Sequence, residues 1–154
     1  MTEQQNALKI EDEINNKLGD EQKGGALDFV SFLRENNITN SSENIGIQTY
    51  MDEAVCVIVV FGKINWYVYW SSNDVNDGDN TNVCKELIKF ARSKRNKCTG
   101  KHCDNKPGIT RKIFGKEYQN LCTSIMAFCC PTGDALEHVK ELVKCSMREI
   151  ERTK

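Results

Sequence analysis

Cys98, His102 and Cys103 fall together in the segment Cys98-Thr99-Gly100-Lys101-His102-Cys103, and Lys106-Pro107-Gly108 follows at once. Two thiols and an imidazole are ligand types that a soft divalent metal prefers, and Gly100, Pro107 and Gly108 make the backbone here irregular. A structural zinc site needs four ligands in tetrahedral geometry at about 2.0–2.3 Å, and a short knuckle with about two to four residues between its cysteines usually supplies two of them. Cys98 and Cys103, with four residues between them, stand at the edge of that range. The remaining ligands must then be His102 in the loop and Cys122 after the next element, with Cys84 as a substitute. The cofactor expectation is zinc on Cys98, His102, Cys103 and Cys122. A single knuckle leaves a vestigial or simply structural loop as the competing reading.

Charge changes sign around this loop. The whole chain is nearly balanced, with 21 Lys and Arg against 22 Asp and Glu. Between residues 37 and 83 Lys63 is the only base, whereas from 89 to 117 ten bases face only Asp104 and Glu117. Lys94, Arg95, Lys97, Lys101, Arg111 and Lys112 are the binding residues expected there, for a protein partner or for nucleic acid. A solvated face balanced by the acidic half of the same molecule is the alternative.

Other chemistries find less support. Lys97, Lys101 and His102 would lower a neighbouring thiol pKa. Yet the chain has no C-x-x-C, and Cys129-Cys130 are adjacent within an expected strand, a poor geometry for a relaxed disulfide. There is no Gly-rich phosphate loop, no G-x-S-x-G and no H-E-x-x-H, and His138 falls on the polar side of the last helix. A non-catalytic binding module is therefore expected before a nucleic-acid-binding protein, with a thiol redox protein third.

At 154 residues the chain suits one domain that buries about two thirds of its unfolded surface. Its start lacks the charged and apolar regions of a secretory signal, and no apolar run approaches the roughly 20 residues that span a bilayer. The expectation is a cytoplasmic protein with no membrane partner. Thiols stay reduced there, so the eight cysteines read as ligands or core residues rather than four disulfides. Cys56, Cys129, Cys130 and Cys145 sit in apolar or helical patterns and are assigned to packing.

The elements that must position the loop follow from periodicity. Ala7, Ile10, Ile14 and Leu18 mark a short helix stopping at Gly19, and the N-terminal segment 1–22 is expected to be loosely attached to the single domain 1–154. Ala26, Phe29, Val30 and Leu33 mark a second, after Gly24-Gly25 and ending at Asn36-Asn37, and residues 38–45 read as a loop. Residues 54–61 form an apolar strand and Gly62-Lys63 a tight turn. Residues 64–70 return with Ile64, Trp66, Val68 and Trp70 on one side and Tyr67 and Tyr69 on the other. The acidic stretch 71–81 lacks the spacing of a calcium loop. Val83, Leu87, Ile88 and Ala91 mark a third helix, with Lys85, Lys89, Arg92 and Arg95 on its other face. Strands at 109–114 and 124–130, joined by 115–123, precede a last helix with Ala135, Val139, Leu142, Val143, Ser146 and Ile150 inward. The fold class is α+β: one antiparallel sheet of about four strands, helices mainly on one face, order ααββα, loop, ββα.

Leu27-Asp28-Phe29-Val30-Ser31-Phe32-Leu33-Arg34, Tyr50-Met51-x-Glu53-x-Val55-Cys56, Asn65-Trp66-Tyr67, the loop with Pro107-Gly108, and Ile113-Phe114-Gly115-Lys116-Glu117-Tyr118-x-Asn120-x-Cys122 carry a likeness, as does Leu136-Glu137-x-Val139-Lys140-x-Leu142-Val143. Together they resemble a family of small uncharacterised cysteine-containing proteins of anaerobic bacteria. The resemblance implies a loop of pattern C-x2-C-x3-C before Pro-Gly and a fourth cysteine at the position of Cys122, a thiolate set suited to zinc. Here Lys101 stands where the second loop cysteine would be. No activity comes with the resemblance.

Overall fold

A computed structural model describes residues 9–70, 85–97, 108–114 and 116–153. In chain order these form α1 (Ile10–Lys17), α2 (Asp20–Glu35), β1 (Thr39–Asn40), β2 (Ile47–Tyr50), β3 (Glu53–Phe61), β4 (Asn65–Trp70), α3 (Lys85–Ser93), β5 (Arg95–Lys97), β6 (Ile109–Ile113), β7 (Lys116–Cys129) and α4 (Gly133–Thr153). The strands pair antiparallel in the order β1-β2-β3-β4-β7-β5, with β6 also on β7. The α+β class and the single sheet are as the sequence predicts, and seven strands are described rather than four.

Register explains which residues become core. Ile58 pairs with Val68 and Val68 with Phe128, while Trp70 pairs with Met126, so these side chains share one face. All of them are buried, together with Trp66 two residues away. Helices α1, α2 and α4 cover that face: the Phe29 ring meets Trp66 at 6.4 Å, and Trp70 Nε1 donates to Ser146 Oγ at 2.8 Å. Burying each of Phe29 and Phe128 contributes about 1.5–3 kcal/mol. The Trp66 indole N–H is buried without an acceptor among the described residues, a cost of about 1–3 kcal/mol.

The opposite face of the hairpin carries Tyr67 and Tyr69, whose rings stack at 6.0 Å, with Phe61 edge-on to Tyr67 at 5.4 Å. Ile64 does not join the Trp66 side. It lies in the β3–β4 turn and is 72% exposed, because Gly62 at φ 64° places the reversal there.

Several boundaries differ from expectation. Gly19 does not end α1 in a left-handed conformation: its φ of −73° and ψ of 166° are extended, and it is the N-cap of α2. Gly24 and Gly25 lie inside α2, where Gly25 passes close to Trp66 and Pro131. Ile10 and Ile14 are fully buried, so α1 belongs to the core rather than standing apart. The expected loop 38–45 contains β1, and residues 116–123 are the first half of β7, not a connector.

One polar network ties α1, α2 and β2 together. Arg34 donates to both carboxylate oxygens of Glu11, at 2.8 and 3.2 Å, to Ile38 O at 2.8 Å and to Gln48 Oε1 at 2.9 Å. Gln48, fully buried, donates on to Ile45 O at 2.9 Å. A buried polar side chain is tolerated when its hydrogen bonds are made in this way.

Candidate anion-binding site

Helix α3 buries Leu87 and Ala91 and turns Lys85, Lys89 and Arg92 the other way. Their spacing of four and three residues sets them on one stripe of the helix surface. The β6–β7 hairpin faces that stripe, and Arg92 fastens the two: its Nε donates to Ile113 O at 3.2 Å and its Nη2 to Phe114 O at 2.7 Å.

Between helix and hairpin lies an open depression of about 410 Å³, lined by Lys85, Ile88, Lys89, Arg92, Lys116 and Tyr118. The Arg95 guanidinium lies 4.8 Å from the Tyr118 ring centre and the Lys116 ammonium 5.3 Å, so the ring's negative π-face offsets part of the crowded positive charge. Arg95 also donates to Arg92 O at 3.1 Å. Glu86 and Glu117 are the acids on these two elements, and among the described residues no carboxylate forms an ion pair with Lys85, Lys89, Arg92, Arg95 or Lys116. Cations that converge without an internal acid attract anions from solution.

Of the binding residues expected from sequence, Arg95 is at this site and Arg111 is in register opposite Tyr118. Lys94 places its ammonium 5.9 Å from the Phe90 ring, beyond the end of α3. Lys97 and Lys112 are exposed on β5 and β6, and Lys101 lies outside the described residues. Lys89, Arg92 and Lys116 fall within the basic segment 89–116 expected for nucleic acid, though not among the six residues singled out in it, and Lys85 lies outside that segment. The helical spacing of Lys85, Lys89 and Arg92 was the signal for them, whereas Lys116 comes near only through the hairpin.

For the expected metal set, Cys98, His102 and Cys103 lie outside the described residues, as do Cys84 and the acidic stretch 71–81. What is described is the backbone that brackets them. Lys97, just before the loop, pairs with Leu121, and Ile109, just after Gly108, pairs with Leu121 as well. Both flanks therefore meet β7 at the residue preceding Cys122. Gly108 is required at that closure, since a Cβ there would lie 2.7 Å from the Asn120 backbone. Among the described residues no group of three or more His, Cys, Asp or Glu is arranged around a common point.

The four cysteines assigned to packing divide. Cys56 is buried, and burial pushes its thiol up to about 12. Cys145 is half-buried and raised for the same reason. Cys129 is exposed rather than packed, because its partner in register, Tyr67, is on the open face. His138 is not a free surface residue: its ring lies 4.9 Å from Phe90.

Among the described residues, no helix is long and apolar enough to cross a membrane. Compared with known proteins, the chain matches no family model, no curated protein and no solved structure.

Proposed function

We propose that the chain is a non-catalytic binding module that holds nucleic acid by its phosphates on the face formed by α3 and the β6–β7 hairpin. The observation that carries this reading is the convergence of Lys85, Lys89, Arg92 and Lys116 on one depression with no ion-paired carboxylate among the described residues. Phosphate neutralisation by Lys and Arg releases condensed counterions, and four such contacts give a slope of about −3 in log K against log salt on a single strand. Tyr118, half-buried between Arg95 and Lys116, adds an aromatic edge to the groove.

The test is fluorescence anisotropy of a labelled single-stranded oligonucleotide as salt rises from about 50 to 200 mM. Binding that weakens along that slope, and falls at least tenfold in Lys89→Glu/Lys116→Glu, supports the reading. Absence of binding at the lowest salt, or equal affinity in the reversed-charge variant, removes it.

A second reading concerns the cysteine loop. The shared pairing of Lys97 and Ile109 with Leu121 sets both flanks of this segment at the residue before Cys122, and this favours zinc on Cys98, His102, Cys103 and Cys122 in a structural role. The likeness to the cysteine-containing family belongs to the same proposal. Metal analysis of protein purified without added ions, with Cys122→Ser beside it, decides: one zinc per chain that disappears in the variant is expected, and a metal-free protein ends the reading. A reducing compartment such as the cytoplasm suits this use of thiols.

A further inference from the structure

Cys129 ends β7, and Cys130 follows it where the backbone turns. Neighbouring residues in a regular strand point to opposite faces. Cys130, however, has φ 46°, a left-handed conformation uncommon for any residue but glycine, and the alternation stops there. Its amide donates to Trp66 O at 2.9 Å. Its Sγ accepts from Trp66 N and donates to Ile64 O, each at 3.5 Å, which folds the side chain back against the start of β4. Cys129, exposed, stands in register with Tyr67 on that same strand. The Cys129 thiol is the main influence that raises the Tyr67 hydroxyl and, after burial, also raises the neighbouring Cys130 thiol, so the three groups share one small region of the surface. Two thiols on adjacent residues thus reach the surface at the end of β7, one of them held by backbone.

We propose that Cys129 and Cys130 form a vicinal dithiol site for a soft thiophilic centre of the trivalent-arsenic class. Adjacent Cα atoms are about 3.8 Å apart, short of the roughly 4.4–6.8 Å that a relaxed disulfide spans, so the pair resists closing on itself. An atom bonded to both sulfurs bridges them without that constraint, and soft centres prefer thiolate ligands. The other described cysteines lack this arrangement. Cys56 is buried, and Cys145 has the Arg148 guanidinium at 3.2 Å rather than a second thiol. With phenylarsine oxide the reaction balances as follows. Two S–H bonds and the arsenic–oxygen bond break, two As–S bonds form, and the oxygen leaves as one water with no change of oxidation state.

The experiment adds one equivalent of phenylarsine oxide to the reduced full-length protein and localises the adduct by peptide fragmentation. A single arsenic bridging residues 129 and 130, with both thiols lost to subsequent alkylation, is expected. Cys129→Ser and Cys130→Ser should each lower arsenical affinity on that peptide at least tenfold, while Cys145→Ser leaves it unchanged. Cys130→Ser keeps a donor and acceptor for Ile64 and Trp66, so its circular dichroism should match the parent. Failure to find the adduct on residues 129–130, or full affinity in either serine variant, overturns the proposal.

Discussion

Trp70 at the end of β4 donates a hydrogen bond from its indole N–H to Ser146 Oγ in the middle of α4, over 2.8 Å and with both residues buried. Removing the acceptor leaves a buried N–H that water cannot reach. Ser146→Ala should therefore cost about 1–3 kcal/mol, more than the loss of one oxygen from a surface serine. Thermal unfolding followed by circular dichroism reads this as a drop of about 2–4 °C per kcal/mol.

Glu11 gives a pH-dependent prediction. Burial works against its charge, but the hydrogen bond and charge of Arg34 outweigh that effect and hold the carboxyl below its ordinary value of 4.5. A depressed folded pKa means stability that is fully present above pH 4.5 and lost as pH falls through the folded value. The stability gap between the wild type and Glu11→Gln should thus be widest near neutrality and narrow below pH 4.5. Urea titrations at several pH values measure it, and a gap independent of pH would contradict the account.

Two glycines should respond in opposite directions to alanine. At Gly46 an added Cβ would stand 2.6 Å from Ile58 O, and Ile58 N is itself bonded to Gly46 O at 2.8 Å, so neither backbone can yield alone. Gly46→Ala should destabilise by about 1–3 kcal/mol. At Gly24, inside α2, nothing lies within 4 Å, and Gly24→Ala should stabilise by about 0.5–1 kcal/mol through helix propensity.

The strands and helices most readable in the sequence were those whose apolar period was unbroken. β3, β4 and α4 announce themselves through Val55 to Phe61, through Trp66, Val68 and Trp70, and through the stripe from Val139 to Ile150. β2 was not legible because its buried position is a glutamine, Gln48, which only the distant Arg34 makes tolerable. β5 is Arg95-Asn96-Lys97 and has no apolar residue at all, so β7 defines it as a strand. The site was half legible for the same reason. Lys85, Lys89 and Arg92 share a helical stripe visible in the sequence, but the approach of Lys116 depends on a hairpin whose second strand reads as a connector over its first half.

Arg92 separates charge from geometry. Arg92→Lys keeps the cation but loses the pair of bonds to Ile113 O and Phe114 O, because an ammonium cannot reproduce the planar fork. Oligonucleotide affinity should fall roughly fivefold, as expected for about 1 kcal/mol, with the salt slope unchanged. A reduced slope would instead show that these two bonds hold the other cations of the depression in place as well.

The pairing of Lys97 and Ile109 with the same residue, Leu121, has a consequence for how this molecule can vary. Both flanks are held at one rung, so the ladder itself sets no length for the sequence between them. Closing a longer one costs only about 0.6 kcal/mol for each doubling. Added residues that spare Cys98, His102 and Cys103 leave the two pairings with Leu121 to hold the scaffold in alignment, which makes that rung the natural place to graft a new recognition element.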